Sequence, residues 1–298
     1  MQYDLITILG PTASGKTHLA VQLADWLDAE IISADSRQVY RGMNLGTGKD
    51  LDEYTLEGKT IPYHLIDVVD AGQSYHIFQF QKDFQEAFNA IKNKGKMAIL
   101  CGGSGLYLEA VLRGFQYTAV PIDETLRAEL LNFAHEELIE KFRPLSSLVP
   151  QADISTHKRT IRAIEIGEFL RANPSFELPT KLPINTVIFG LNPPVELRRE
   201  RITKRLQQRL AQGMVEEVQT LLDSGVSPDK LIFYGLEYKW ITEYLQGRIT
   251  YDIMFERLNV AIHQFAKRQM TYFRKMEKDG LIINWLGDEP FTQIKQII

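Results

Sequence analysis

The chain has 298 residues, 44% of them hydrophobic and 24% charged, with a formal net charge of −4 and a pI near 5.9. This composition excludes disordered and fibrous chains, and it excludes a protein that coats nucleic acid by bulk charge. The single cysteine, Cys101, excludes an intrachain disulfide, and the chain has no apolar run of bilayer length; with no secretory signal before the first apolar run, a cytoplasmic location is expected.

In chain order, "YDLITIL" reads as a β-rich run that feeds a glycine loop, "GPTASGKT", and the "THLAVQLADWLDAE" that follows has the 3.6-residue spacing of a helix. "EIISAD" predicts the next strand and "HLIDVVD" a possible third. "MAILC" is a buried strand before "GGSG" and the helical "LYLEAVLRG". Strands alternating with helices predict an α/β fold whose parallel sheet is covered on both faces. From about residue 118 to 182 two amphipathic helical stretches predict a helical insertion, with residues 1–117 and 183–298 forming the α/β core. "NTVIFGLNPP" predicts a strand returning to the sheet, before long helices at 196–224 and 252–278.

Gly10, Gly15, Lys16 and Thr17 satisfy G-x-x-x-x-G-K-[ST], so residues Gly10, Pro11, Thr12, Ala13, Ser14, Gly15, Lys16 and Thr17 form a phosphate cradle. Backbone N–H groups wrap phosphate oxygens in this motif, the lysine adds a point charge, and the hydroxyl of Thr17 is placed to ligate Mg²⁺. The default occupant is a nucleoside triphosphate. The chain lacks an Asn-Lys-x-Asp guanine-reading sequence, which argues against a GTPase.

In order along the chain, "GPTASGKT", "SADSRQVYRGMNLGTGKD", "YHLIDV", "CGGSGLYLEAVLRG", "RTIRAIEI" and "AKRQMTYFR" resemble the tRNA dimethylallyltransferase family. The resemblance touches nearly the whole chain and implies a P-loop NTPase-like fold with a small helical domain contacting tRNA. It implies Mg²⁺-dependent transfer of a dimethylallyl group from dimethylallyl diphosphate to N6 of adenosine 37 in the anticodon loop, by a monomer. The cradle would then clamp a leaving group.

The resemblance implies that Asp35 is the general base, and Asp35 also ends "EIISAD" at the sheet edge where ligands bind in this architecture. The residues alone leave a helix N-cap at Asp35 or Ser36 open. Ser104 stands where the family often has a threonine, a hydroxyl that the resemblance places to hydrogen-bond the bridging oxygen or the amine, and Arg127 matches a family arginine at the start of the insertion that reaches the active site as a further catalytic residue; an exposed helix arginine is the alternative. Ser36, Arg37 and Gln38, with Asp35, match positions that contact RNA. Between Lys158 and Arg209 eleven basic residues, Lys181, Arg205 and Arg209 among them, stand against five acidic ones, a local surplus that suggests a polyanion touching one region. Lys158, Arg159 and Arg162 share one helix face that resembles the family's RNA-touching insertion helix, and Arg268 is a candidate for diphosphate or tRNA contact; solvated faces are the alternative. Cys101 reads as a small buried residue.

The chain departs from the family pattern at Ser155-Thr156, at Glu237 and Trp240 in "GLEYKW", and at "GTGKD". Competing functions are prenylation of free adenine nucleotides, a small-molecule or nucleotide kinase in which Asp35 activates a hydroxyl, and a non-catalytic RNA binder.

Overall fold

The computed structural model describes residues 2–180 and 183–298; Lys181, counted among the basic residues of the insertion, lies outside the described residues. The chain divides into two compact units, Met1–Leu112 with Pro183–Ile298, and Arg113–Leu182.

In the first unit, "LITIL" forms β1 (Leu5–Leu9), followed by α1 (Lys16–Leu27), β2 (Glu30–Ser33) and β3 (Tyr63–His64). Then come α2 (Ile77–Asn93), β4 (Ala98–Gly102) and α3 (Gly105–Arg113). After the second unit the chain returns as β5 (Thr186–Leu191) and closes with β6 (Asn284–Leu286). These strands make a six-stranded parallel sheet in the order β6-β5-β1-β4-β2-β3.

Every residue of β1 is buried, because the period of two sends alternate side chains to two covered faces. Ile6 and Ile8 pack with Ile31, Ile99 and Phe189 against Leu19 and Leu23 of α1. Leu5 and Leu9 pack with Ile32 and Leu100 against Phe80, Phe84 and Phe88 of α2.

The "HLIDVVD" run makes no continuous strand. Leu65 and Asp67 take positive φ, 62° and 57°, which breaks the run after His64. Only Tyr63–His64 joins the main sheet, while Val69–Asp70 pairs with Tyr40–Arg41. The turn at Asp67 aims its carboxylate at the buried Lys49 ammonium.

In the second unit α4 (Glu124–Leu130), α5 (His135–Phe142) and α6 (His157–Ala172) enclose their own core of Leu130, Leu138, Phe142, Ile161 and Ile164. The first unit adds α7 (Val195–Ala211), α8 (Met214–Asp223), α9 (Pro228–Tyr234), α10 (Leu236–Leu245), α11 (Tyr251–Lys278) and α12 (Pro290–Ile297). The single helix expected over 196–224 is two, divided at Gly213 with φ of 101°, a left-handed value that ends the first helix.

Phe189 is fully buried in the middle of β5, between β1 and β6. Phe189→Ala is expected to cost about 3–5 kcal/mol of stability, read as a lower denaturant midpoint at unchanged slope.

Candidate active site

The cradle forms where β1 turns into α1. Gly15 has φ of 85°, a left-handed conformation that a side chain would strain, and no side chain caps the helix there. The first amide groups of α1 therefore face the cleft without intrahelical partners, which is the arrangement that binds an anion. The Ser14 hydroxyl is buried without a hydrogen-bond partner among the described residues, so a polar group of the cradle is left for a ligand.

Lys16, just inside the helix, has its pKa lowered, first by desolvation; Cys101 and Asp35 oppose that shift. An anion in the cradle would hold the ammonium charged. The Cys101 thiol is pushed up to about 12 by burial, so it is inert as a nucleophile at neutral pH. Thr17 lines the same cleft as Asp35, Asp50 and Glu53. A hydroxyl beside an anion cradle, with carboxylates in the same cleft, is a donor set that suits Mg²⁺, which takes few protein ligands beside phosphate and water.

Opposite the cradle lie the ends of β2 and β4. The Asp35 Oδ1 accepts from the Arg37 N–H at 2.9 Å, so the loop is an Asx-type turn, and no helix starts there. The other oxygen, Oδ2, accepts no hydrogen bond from the described residues and remains available in the cleft. Ser104 follows β4. Its Oγ accepts from the Ser36 N–H at 3.0 Å, and its own N–H donates to the Ala34 carbonyl at 3.3 Å. The two strand ends are thus stitched together beside the aspartate.

The cleft encloses about 270 Å³, lined by the cradle, Asp35 to Gln38, Ser104, and residues of the helical half of this unit. Those last include Arg205, Arg209, Tyr234, Glu237 and Gln269. Gln269 lies on the buried, otherwise apolar stripe of α11, and the sequence reading assigned it no task. The buried amide accepts from the Thr12 N–H at 2.8 Å and donates to the Gly103 carbonyl at 2.8 Å. One side chain ties the phosphate cradle to the β4 turn. A Cβ on Gly103 would lie 2.4 Å from the Gln269 nitrogen, so the approach requires glycine. The legible signal was a glutamine on a stripe that is otherwise apolar, since a buried amide must find partners.

The "GTGKD" loop is fixed from several sides. Glu217 accepts from the N–H groups of Asn44, Leu45 and Gly46 at 2.8, 2.7 and 3.0 Å, and from the Tyr238 hydroxyl at 2.8 Å. Asp50 pairs with Arg205 at 2.9 Å and Arg209 at 2.8 Å. Gln38 spends its amide inside the protein, accepting from the Ser33 hydroxyl and donating to the Gly48 carbonyl. Arg37 lies 5.5 Å over the Tyr234 ring.

In the second unit, Arg127 donates to Glu165, a carboxylate with no exposed surface, at 2.7 Å. Arg162 donates to the carbonyls of Tyr117, Val120 and Pro121 and to Glu165. The three cations expected to share one face are therefore divided: Arg162 binds its own unit, while Lys158 and Arg159 are exposed, Arg159 paired with Asp153 at 2.8 Å. Arg268 is exposed on α11, 6.0 Å from the Phe265 ring.

A parallel α/β sheet, a phosphate cradle at its first turn, and an aspartate and a serine at neighbouring strand ends define a P-loop-like protein built to hold an anionic group beside a carboxylate. The IPP transferase family model matches residues 38–276. The tRNA dimethylallyltransferase 2 of Bacteroides fragilis is 55% identical over 99% of this chain and 97% of that relative. The crystal structure of the full-length tRNA isopentenylpyrophosphate transferase from Bacillus halodurans matches at a TM-score of 0.72 and 32% identity, over 99% of this chain and 95% of that one. A eukaryotic dimethylallyltransferase acting on tRNA shares the fold at a TM-score of 0.76 and 20% identity, over 98% of this chain and 77% of that one. The chain belongs to the IPP transferase family of prenyltransferase enzymes.

Among the described residues no helix is long and apolar enough to cross a membrane.

Two predictions follow from the cleft walls. Gln269→Leu leaves the Thr12 N–H and the Gly103 carbonyl without their partner, and is expected to lower stability by about 1–3 kcal/mol and to weaken pyrophosphate binding in a titration. Desolvation pushes the Glu237 carboxyl up to about 7, with Arg209 and Arg205 pulling the other way. Because the folded pKa exceeds the unfolded one, the native state holds the extra proton between the two, and wild-type stability falls as pH rises through that window. Glu237→Gln should therefore gain melting temperature relative to wild type on going from about pH 5 to about pH 8, by roughly a few degrees.

Proposed function

We propose that this enzyme transfers the dimethylallyl group of dimethylallyl diphosphate to N6 of adenosine 37 in the tRNA anticodon loop, releasing diphosphate. The supporting observation is that one cleft of the first unit brings together the phosphate cradle, Ser104 and an aspartate oxygen with no protein partner. A kinase reading accounts for the cradle but not for membership of a prenyltransferase family.

In this reading the donor diphosphate lies on the amides at the start of α1, with Lys16 against its oxygens. The bond between the allylic C1 and the bridging oxygen breaks, and its electron pair stays on the diphosphate. The lone pair of the adenine N6 forms the new C–N bond, and the N6 proton passes to the Asp35 carboxylate. Fixed charge and amide dipoles, already oriented before reaction, stabilise the oxygen that gains charge. Ser104 is placed to hydrogen-bond the bridging oxygen or the amine. Thr17 would hold Mg²⁺, which when bound adds positive charge beside the leaving group.

The adenine amine is a weak nucleophile because its lone pair is delocalised into the ring, and it becomes strongly acidic as it attacks carbon. A carboxylate within reach removes that proton and contributes about 10²–10⁴ in rate. Adenosine 37 is stacked in its loop, so it must turn out of the stack to enter the cleft. Arg37 in the cleft and the exposed Arg268 of the first unit would meet phosphates of the RNA, and Lys158 and Arg159 are exposed cations of the second unit open to the same kind of contact. A monomer in the cytoplasm suffices for this reaction.

The test incubates the protein with Mg²⁺, labelled dimethylallyl diphosphate and either unmodified tRNA or AMP, beside an ATP-consumption control. Label in tRNA is expected; label in AMP alone, or ATP loss with a phosphorylated acceptor, would overturn the assignment. Asp35→Asn is expected to lower kcat by about 10²–10⁴ while pyrophosphate affinity stays at the wild-type value. Full turnover in that variant would remove Asp35 as the base.

A further inference from the structure

Helix α9 packs Leu231 and Tyr234 inward, yet it leaves Phe233 71% exposed. A single exposed apolar residue is ordinary by itself, so what singles out Phe233 is what stands around it. Its surroundings are specific. The Phe233 and Tyr234 rings lie 6.4 Å apart, and the Lys230 ammonium sits 5.7 Å from the first centroid and 5.9 Å from the second. Tyr234 is itself held: its hydroxyl accepts from the Gly72 N–H at 2.7 Å, and its ring lies 4.7 Å from Tyr40. Arg37 stands over Tyr234, and both residues line the cleft.

From the cleft to open surface run Arg37, the buried Tyr234 ring, Lys230 and the exposed Phe233 ring, so one accessible ring stands beside a cation and is backed by a fixed ring. An exposed ring with a cation against it suits a single nucleic-acid strand, because a base stacks on the ring while the adjoining phosphate meets the cation. A protein partner would be met by an apolar patch with few charges at its centre, and here a lysine lies against both rings.

We propose that Phe233 is a stacking platform for a nucleobase next to the one that enters the cleft, with Lys230 on the adjoining phosphate. The inference rests on the reading of an RNA substrate. It adds a subsite outside the cleft that holds the strand on either side of the extruded nucleotide.

The test uses the full chain and an anticodon stem–loop RNA carrying 2-aminopurine beside position 37, titrated at fixed salt. Binding to wild type is expected to change the 2-aminopurine fluorescence. Phe233→Ala should lose that change and raise the RNA Kd about tenfold, while Phe233→Tyr keeps both near wild type. Lys230→Ala should reduce the slope of log Kd against log salt by about one phosphate contact. Pyrophosphate affinity, measured on each variant, reports that the cradle is intact. Unchanged RNA affinity and fluorescence in Phe233→Ala overturn the platform and leave the RNA reading standing. Failure of wild type to bind the stem–loop overturns both, and a shift in self-association on Phe233→Ala with RNA binding unaltered would assign the ring to a protein interface instead.

Discussion

A single buried amide holds the cleft in register. The Gln269 side chain reaches from α11 to the Thr12 N–H on one side and the Gly103 carbonyl on the other, across segments far apart in the chain. The phosphate cradle and the β4 turn leave the ends of neighbouring strands, β1 and β4, which are paired in register as far as Leu9 and Gly102, and the amide ties the two loops together beyond that point. The Gln269 side chain and its contact with the Gly103 carbonyl are buried, so the amide is held by the cost of leaving these groups unpaired. The spacing between a departing diphosphate and a base would be set by this contact, and about an ångström of misplacement can cost a hundredfold in rate.

Charge in the cleft is organised around the same frame. Arg205 and Arg209 are brought to one wall by α7 and are occupied by Asp50, so the basic side chains are oriented before any ligand arrives. Lys49, fully buried, is satisfied by Asp67, Asn44 and the Tyr40 carbonyl, and it holds the loop that carries Asp50. Such preorganisation matters because a guanidinium that must reorient during reaction stabilises the transition state less than one already fixed. Glu237 adds a carboxyl to the wall that makes no ion pair among the described residues, which makes the local charge sensitive to pH near neutrality.

How much of this was legible in the sequence follows the range of the interactions. The cradle, β1, α1, β2, β4 and β5 rest on local signals: a glycine turn, period-two runs and helical spacing. Asp35 was marked by the resemblance and by its place at the end of a recognisable strand, Ser104 by the resemblance alone, and both line the cleft. The broken strand after His64 was not, since the positive φ values at Leu65 and Asp67 serve a pairing with Lys49 that lies elsewhere in the chain. The helix division at Gly213 had a local signal, the glycine, that was outweighed by continuous periodicity. Glu217 gave no sign at all, because a carboxylate that gathers three backbone amides of a distant loop looks, in sequence, like any acid on a helix.

The arginines carry the sharpest form of that lesson. A helical-face argument tells which way a side chain points and says nothing about what lies in front of it. Arg162 points toward three carbonyls of its own unit, and Arg127 pairs with a buried carboxylate while part of its side chain stays exposed. Arg205 and Arg209 counted in sequence only as part of a basic stretch, yet they face the cleft. Lys158 and Arg159 remain at the surface. A polyanion can draw only on cations whose hydrogen-bonding capacity is not already filled, because displacing a buried pair would leave a charge unmatched at a cost of several kcal/mol. The basic surplus between Lys158 and Arg209 is thus three populations, structural, cleft-forming and exposed, and only the exposed one can answer to ionic strength without disturbing the fold.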